Sequence, residues 1–375
     1  MLFSQKFTKL FLALYVVVLL GCGFFTLPTT DTYYYWTWSQ HLQLSYYDGP
    51  PLIAYLLWLM TRIFGNTFFA INIISVACVV GSAGLIYKIL SSFSSRTSAT
   101  IAALLWMVYP FATTRFITVS MTLDGLEVLF SLMILWYALR LIRVPQAANY
   151  YLLGIAVGLG LLAKYNVIIL VVGIMLFVLI HPQLRKLYLS PHLYLAAVLS
   201  VAIFSPVIIW NYQHGWTSFL YQLNSHKWTG GSGAINSADK HGLAGMWFYL
   251  KSCVFGVLHL LLILMLLLRV KWNFRISVGV ENQLLTFLCG FILLFWLYQS
   301  YSAHVGLNYM VTVSGLLIML LAQQLAQINK PFFIYGLLII LAVISLVMQI
   351  DKMRIHDKDQ ANYDKYVKSG IITRP

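Results

Sequence analysis

The sequence predicts an all-α integral membrane protein, and three observations carry that prediction. Of its 375 residues, 61% are hydrophobic and only 9% charged, whereas an ordinary soluble domain carries roughly a quarter charged residues. The apolar residues gather into runs that reach the length needed to cross a bilayer, about 20 residues. These runs are continuous and rich in Leu, Ile and Val, unlike the short alternating segments of a transmembrane barrel.

The runs lie near 8–27, 67–90, 99–118, 122–143, 192–210, 246–268, 282–300, 304–325 and 331–350, with a composite stretch at 150–181. The first follows Lys6 and Lys9, and its Leu19-Leu20-Gly21-Cys22 loosely resembles a lipoprotein cleavage site. It continues apolar to Leu27 and is followed by many further runs, so it reads as an uncleaved first helix. The four cysteines, Cys22, Cys78, Cys253 and Cys289, sit far apart inside apolar runs and lack metal-ligand spacing. They read as core residues. The net charge of +14 is spread over short loops, which argues against a nucleic-acid partner and for a topogenic role.

Placing Lys6 and Lys9 inside puts the loop 28–66 outside, and the following inside segments then hold Lys88 and Arg96, Arg140 and Arg143, Arg185 and Lys186, Arg269, Lys271 and Arg275, and Lys330. For the Arg140 and Arg185 groups to share a side, the stretch 150–181 must cross twice, turning outside at Ala163-Lys164-Tyr165-Asn166. Two full spans take about 40 residues, more than this stretch supplies. The two helices are therefore expected to be short, or their outer turn sunk into the membrane. The count becomes about eleven spans: a transmembrane domain over 1–350 and a short non-cytoplasmic tail over 351–375.

Under this topology the outer face collects Asp31, Asp48, Arg115, Asp124, Glu127, Lys164, His214, His226, His304 and Asn308. Ionisable residues at a membrane boundary are costly and are functional candidates for that reason. The densest stretch is DTYYYWTWSQHLQLSYYDGPP, residues 31–51. Asp31 reads as the N-cap of a short interfacial helix whose aromatics form a membrane belt, a position from which it can also serve as a base. Asp48-Gly49-Pro50-Pro51 reads as a turn starting the next helix. Asp124 either caps the helix over 125–143 or joins Asp31 in one acidic site. Lys164 interrupts an apolar stretch and must snorkel or meet an anion such as phosphate; Arg115 raises the same choice. The loop 211–245 contains Thr229-Gly230-Gly231-Ser232-Gly233 and reads as a cover over a site or a plain linker. His214, His226 and His241 are too widely spaced for a metal site.

These residues also carry a resemblance. DTYYYWTWSQHLQLSYYDGPPLIAYL resembles the first outer loop of the bacterial dolichyl-phosphate-mannose-protein mannosyltransferase-like family, GT-C membrane glycosyltransferases related to the aminoarabinose lipid A transferases. LDGLEVLF (123–130), GLLAKYN (160–166), SPVIIWNYQHGWTSF (205–219) and HVGLNY (304–309) follow in order. The sequence departs from the usual pattern at three places: Thr32 for Glu, Gly49 for His, and Asn308-Tyr309-Met310 for Asn-Trp-Pro.

The resemblance implies a GT-C helical bundle with an interfacial helix, its site formed by the outer loops 28–66 and 211–245. It implies an inverting transferase, moving a hexosyl or pentosyl group from a polyprenyl-phosphate carrier to a hydroxyl on an envelope glycolipid such as lipopolysaccharide, a polysaccharide or a protein. The carrier would be undecaprenyl phosphate in a bacterial inner membrane, with the reaction on the periplasmic side. Asp31 would be the base and Asp124 a second acidic partner, orienting a hydroxyl or helping to hold a divalent cation. Lys164, Tyr165, Arg115, Tyr34, Trp36, Tyr47, Asp48, His214, His304 and Asn308 would bind substrate. A flippase for a lipid-linked sugar and an inactive polyprenyl-lipid-binding relative are the competing readings; a transporter is expected to show polar or broken helices at the midplane.

Overall fold

The structure, a computed structural model, describes residues 5–25, 29–110, 123–224, 242–254, 279–303, 305–327 and 331–353. Helices account for nearly all of them. Six are long and apolar enough to cross a membrane alone, and Leu10–Cys22, Leu52–Phe64, Arg96–Val108 and Ala147–Ala163 are shorter apolar helices. The four cysteines are buried and form no disulfide among the described residues, as expected of core residues. The predicted sites Arg115 and His304, the loop residues 225–241 with His226 and His241, and the tail beyond Met353 lie outside the described residues.

The chain divides into two compact units. The first comprises Met1–Gln43, Pro51–Leu132 and Leu321–Pro375; the second comprises Leu44–Pro50 and Met133–Leu320.

In the first unit, α1 (Gln5–Phe25) and α5 (Arg96–Val108) pack on α4 (Phe68–Ser91), and α2 (Thr30–Gln40) packs on α3 (Leu52–Phe64). Short polar side chains set the starts of these helices. Thr67 accepts from Ala70 N at 3.2 Å and Ser95 from Ser98 N at 3.0 Å, each satisfying an amide that has no partner within its helix. Gly65, at φ +70, ends α3 in a conformation that favours glycine. The core is aliphatic: Ile53, Leu57, Ile71, Ile86, Ile89 and Ile101 are completely buried. Val108 ends α5, and its carbonyl takes a 2.8 Å hydrogen bond from Ser345 Oγ of the last helix (Pro331–Met353).

The second unit contains two helices joined by a turn at the stretch where the basic residues call for a double crossing. α6 (Leu123–Arg143) is shared between the units. α7 (Ala147–Ala163) and α8 (Val167–Ile180) are separated by Lys164-Tyr165-Asn166. With 17 and 14 residues, they are about 25 Å and 21 Å long, short of the roughly 30 Å hydrocarbon core. Both helices are thus short, as the residue count demanded.

At one end of the unit Arg143 Nη2 meets Glu281 Oε1 at 2.7 Å, and His181 Nε2 meets Gln283 Oε1 at 3.2 Å. The end of α6, the end of α8 and the start of Val280–Gln299 therefore coincide. Tyr165 and Trp296, which wall one cavity, mark the other end. α8 then leads through a 116° bend into a 3-10 turn, Pro182–Leu189, that carries Arg185 and Lys186.

α9 (Pro191–Gln213) lies so close to α7 that a Cβ on Gly154 would stand 2.4 Å from the Ala196 carbonyl oxygen, and one on Gly158 2.7 Å from Ile203 Cβ. Small residues permit such approach where lipid supplies no hydrophobic drive between helices. Pro206 inside α9 has no amide to offer the Ala202 carbonyl. Ser205 Oγ donates to that oxygen at 2.7 Å instead.

Candidate functional site

In the first unit, α2 presents Asp31 on an open face. Its N-cap is Thr29, not Asp31: Thr29 Oγ1 accepts from Thr32 N at 3.3 Å and lies 2.9 Å from the Thr32 hydroxyl. Thr32, one of the departures from the family pattern, thus completes the cap and frees the Asp31 carboxylate from that task. Asp31 sits in the first helical turn, where a negative charge suits the helix dipole. Asp31 and Tyr34 are exposed, one turn apart, whereas Thr32, Tyr33 and Trp36 are buried.

Trp36 is 0% exposed and Tyr34 41% exposed. Trp36 therefore packs the unit instead of offering a face to a sugar; Tyr34 stacks edge-on with Trp38 at 5.2 Å between centroids.

Asp124 lies in the first turn of the described part of α6 and is buried. Protein atoms crowding the Asp31 carboxylate raise its pKa above the ordinary value, and the charge of Asp124 raises it further. The charge of Asp124 thus reaches the Asp31 carboxylate within the first unit. Among the described residues no group of three or more His, Cys, Asp or Glu forms a cluster able to hold a metal ion.

In the second unit a network forms around Tyr165. Its hydroxyl lies 3.0 Å from Ser218 Oγ and 3.4 Å from Ser45 Oγ. Burial pushes the Tyr165 hydroxyl pKa up; hydrogen bonds with Ser218, Ser45 and Asn211 oppose the rise, and the charge of Asp48 adds to it. The segment Leu44–Pro50 folds on itself through Tyr46 N donating to Gly49 O at 3.1 Å. It rests on α10 (Thr217–Asn224): Tyr47 packs on Tyr221 at 4.8 Å between centroids, and Gln222 Nε2 donates to the Asp48 carbonyl.

Asn211, completely buried, fixes α10. Its Oδ1 accepts from Phe219 N at 3.2 Å and its carbonyl from Trp216 N at 2.6 Å. Between them Gly215 and Trp216 both stand at φ 62, and Trp216 is the one non-glycine with positive φ among the described residues. A bulky side chain there marks a strained turn.

A cavity of ≈ 480 Å³ opens beside this network, with Tyr165, Asn166, Gln222, Trp296, Gln299 and Tyr309 in its wall. Trp296 and Tyr309 stack at 4.4 Å, tilted by 40°. Lys164 Nζ lies 5.2 Å from the centroid of the Tyr309 ring, an attraction between cation and ring face that holds the ammonium at the turn.

Tyr165, Tyr47, Asp48 and Lys164 are thus gathered in one unit, Asp31, Asp124 and Tyr34 in the other. Asn308 is half-buried in the 3-10 turn Leu307–Met310, against Gly306, where a Cβ would stand 2.5 Å from its Oδ1. His214 closes the end of α9, stacked on Trp210 at 4.0 Å with Nδ1 2.8 Å from the Trp210 carbonyl oxygen, and does not line the cavity. Gln222, Trp296 and Gln299 were not singled out from the sequence. Trp296 and Gln299 close an apolar run, and that position was the available signal.

The class is defined by the fold. ArnT from Cupriavidus metallidurans bound to undecaprenyl phosphate matches with a TM-score of 0.67 at 14% identity, covering 98% of this chain and 74% of that one. Its apo state matches at 0.66 and 16%, covering 90% and 62%. The apo oligosaccharyltransferase of Archaeoglobus fulgidus matches at 0.55 and 13%, covering 99% and 60%. The chain has the GT-C membrane fold.

Residues 48–210 match the model of the family described as dolichyl-phosphate-mannose-protein mannosyltransferase. That span includes Asp48, Asp124, Lys164 and Tyr165 and begins after Asp31. The chain is 26% identical over 203 residues to the lipid A galacturonosyltransferase RgtD of Rhizobium johnstonii, covering 53% of this chain and 41% of that protein. It is 27% identical over 173 residues to the lipopolysaccharide core galacturonosyltransferase RgtB of the same organism, covering 46% and 35%. The alignments span less than half the length of these relatives. The matched family model carries the name of the family that the motifs resemble, over somewhat less than half of the chain.

Proposed function

We propose that the protein is an inverting glycosyltransferase that moves a sugar from a polyprenyl-phosphate carrier to a hydroxyl of an envelope glycolipid, on the non-cytoplasmic face of the membrane. The observation that carries this reading is Asp31, a residue open to solvent on α2 whose carboxylate is partly crowded by protein atoms, so that its proton affinity is raised by that crowding and then by the charge of Asp124. A base gains strength as its pKa approaches the working pH.

The step is a single displacement. The acceptor oxygen attacks the anomeric carbon, its proton passes to the Asp31 carboxylate, and the bond from that carbon to the carrier's phosphate oxygen breaks. The phosphate leaves with the bonding pair, so it needs positive charge nearby more than a proton. The family resemblance nominates Lys164 to supply that charge, with Arg115 as the second candidate. Asp124 orients the acceptor hydroxyl. Tyr34, on the open face of α2 with Asp31, lines the approach, and Asp48 and Tyr47 shape the loop.

The names of the galacturonosyltransferase relatives favour a lipid A or lipopolysaccharide acceptor and make galacturonic acid the first sugar to try. The test is reconstitution in proteoliposomes with a radiolabelled undecaprenyl-phosphate sugar and lipid A. Label on lipid A supports the enzyme. Label that crosses the bilayer while staying on the carrier identifies a flippase and ends the proposal. Lys164→Ala is expected to weaken donor binding and turnover; unchanged values remove Lys164 from the phosphate site.

A further inference from the structure

We propose that the cavity walled by Tyr165, Asn166, Gln222, Trp296, Gln299 and Tyr309 binds the sugar ring of the lipid-linked donor. The inference rests on the glycosyltransferase reading and specifies which part of the donor the second unit holds. The cavity, at ≈ 480 Å³, falls within the size range of small-molecule sites.

Its wall pairs the two kinds of group a sugar needs. Trp296 and Tyr309, stacked at 4.4 Å and only half-buried, offer aromatic surface to the ring's C–H face. Asn166, Gln222 and Gln299 carry carboxamides, each with a donor and an acceptor, which match hydroxyls that both give and take hydrogen bonds.

The position fits as well. The cavity lies where α7 turns into α8 and where Val280–Gln299 ends, and Ile168, Ile169, Leu220, Leu223 and Phe295 complete its wall with apolar surface. Two of its wall residues also hold the segment Leu44–Pro50: Tyr165 through Ser45, and Gln222 through the Asp48 carbonyl. A bound ring therefore touches the same side chains that position Asp48.

The experiment compares binding of bare undecaprenyl phosphate with undecaprenyl phosphate carrying galacturonic acid or a neutral hexose, using wild type and Gln299→Leu in detergent micelles. Wild type is expected to bind at least one sugar-bearing lipid more tightly than the bare lipid. Gln299→Leu is expected to erase about tenfold of that difference, the value of one hydrogen bond, and to leave the bare lipid's affinity unchanged. Equal weakening of both lipids assigns the cavity to the carrier and overturns the proposal, as does an unchanged difference. Trp296→Phe, which keeps a ring but reduces its area, serves if Gln299→Leu fails to fold. A wild type that binds the sugar-bearing lipid more tightly yet transfers nothing separates the two readings: the pocket stands and the enzyme assignment falls.

Discussion

Asp31 and Asp124 repel one another: the carboxyl of Asp31, exposed on α2, is held above its ordinary pKa by partial burial and then by the buried Asp124 at the start of α6. An acid-limb test follows. If Asp31 must be ionised to accept the proton, activity falls as pH drops through its pKa. Asp124→Asn removes the repulsive charge and lowers that pKa. The acid limb of the kcat/KM profile is expected to move to lower pH, whatever the height of the plateau. The shift is partial, because burial is the larger cause. A limb that stays put or moves to higher pH contradicts the coupling.

Tyr34 and Trp36 are two residues apart and are expected to fail differently. Trp36 is completely buried, so Trp36→Ala opens a cavity and costs about 3–5 kcal/mol of stability. Tyr34→Ala truncates an exposed ring, leaving thermal unfolding nearly unchanged while lowering turnover. Equal losses of stability in both variants contradict this division.

How much of this was legible in the sequence depended on the range of the interaction. The break at Lys164-Tyr165-Asn166 followed from counting residues against basic loops, because bilayer thickness and charge asymmetry act on the chain locally. The same is true of α4 and of Val280–Gln299, which fall within one or two residues of their apolar runs. The cap of α2 was misplaced because Thr29 and Asp31 are both competent cap residues, and only backbone geometry selects Thr29. Trp36 lay in an aromatic cluster with no apolar stripe to say which side faces inward. Gln222 holds the carbonyl of Asp48, a residue 174 positions earlier, and no local pattern announces such a partner. Leu52–Phe64 is the helix that the Asp48-Gly49-Pro50-Pro51 turn was read to start, inside the outer segment 28–66; at 13 residues it is too short to register as a span.

If α7 and α8 cross the membrane in turn, the two ends of α8 face opposite sides. Cysteines placed at Asn166 and Lys186 are expected to react with a membrane-impermeant maleimide from opposite sides, Asn166→Cys from outside intact spheroplasts and Lys186→Cys only after lysis. Labelling of both from one side contradicts the double crossing.

The packing of α7 on α9 is expected to tolerate no side chain at Gly154. Gly154→Val places a branched side chain where even a Cβ meets the Ala196 carbonyl, and the protein is expected to lose several degrees of thermal stability in detergent. Gly290→Ala is the control, since nothing lies within 4 Å of its added Cβ. Matching melting temperatures for the two variants contradict the close approach.

The central claim is that the side chain at position 31 takes the proton. Asp31→Asn keeps its shape and removes its charge. Because the folded protein holds a proton on Asp31 more tightly than the unfolded chain does, the charged form opposes folding above its pKa, so Asp31→Asn is expected to melt no lower than wild type at neutral pH. The decisive measurement is transfer of labelled sugar from undecaprenyl phosphate to lipid A by Asp31→Asn in proteoliposomes. Transfer reduced at least about a hundredfold, the scale of a lost general base, with donor binding retained, is the predicted result; transfer at the wild-type rate contradicts it.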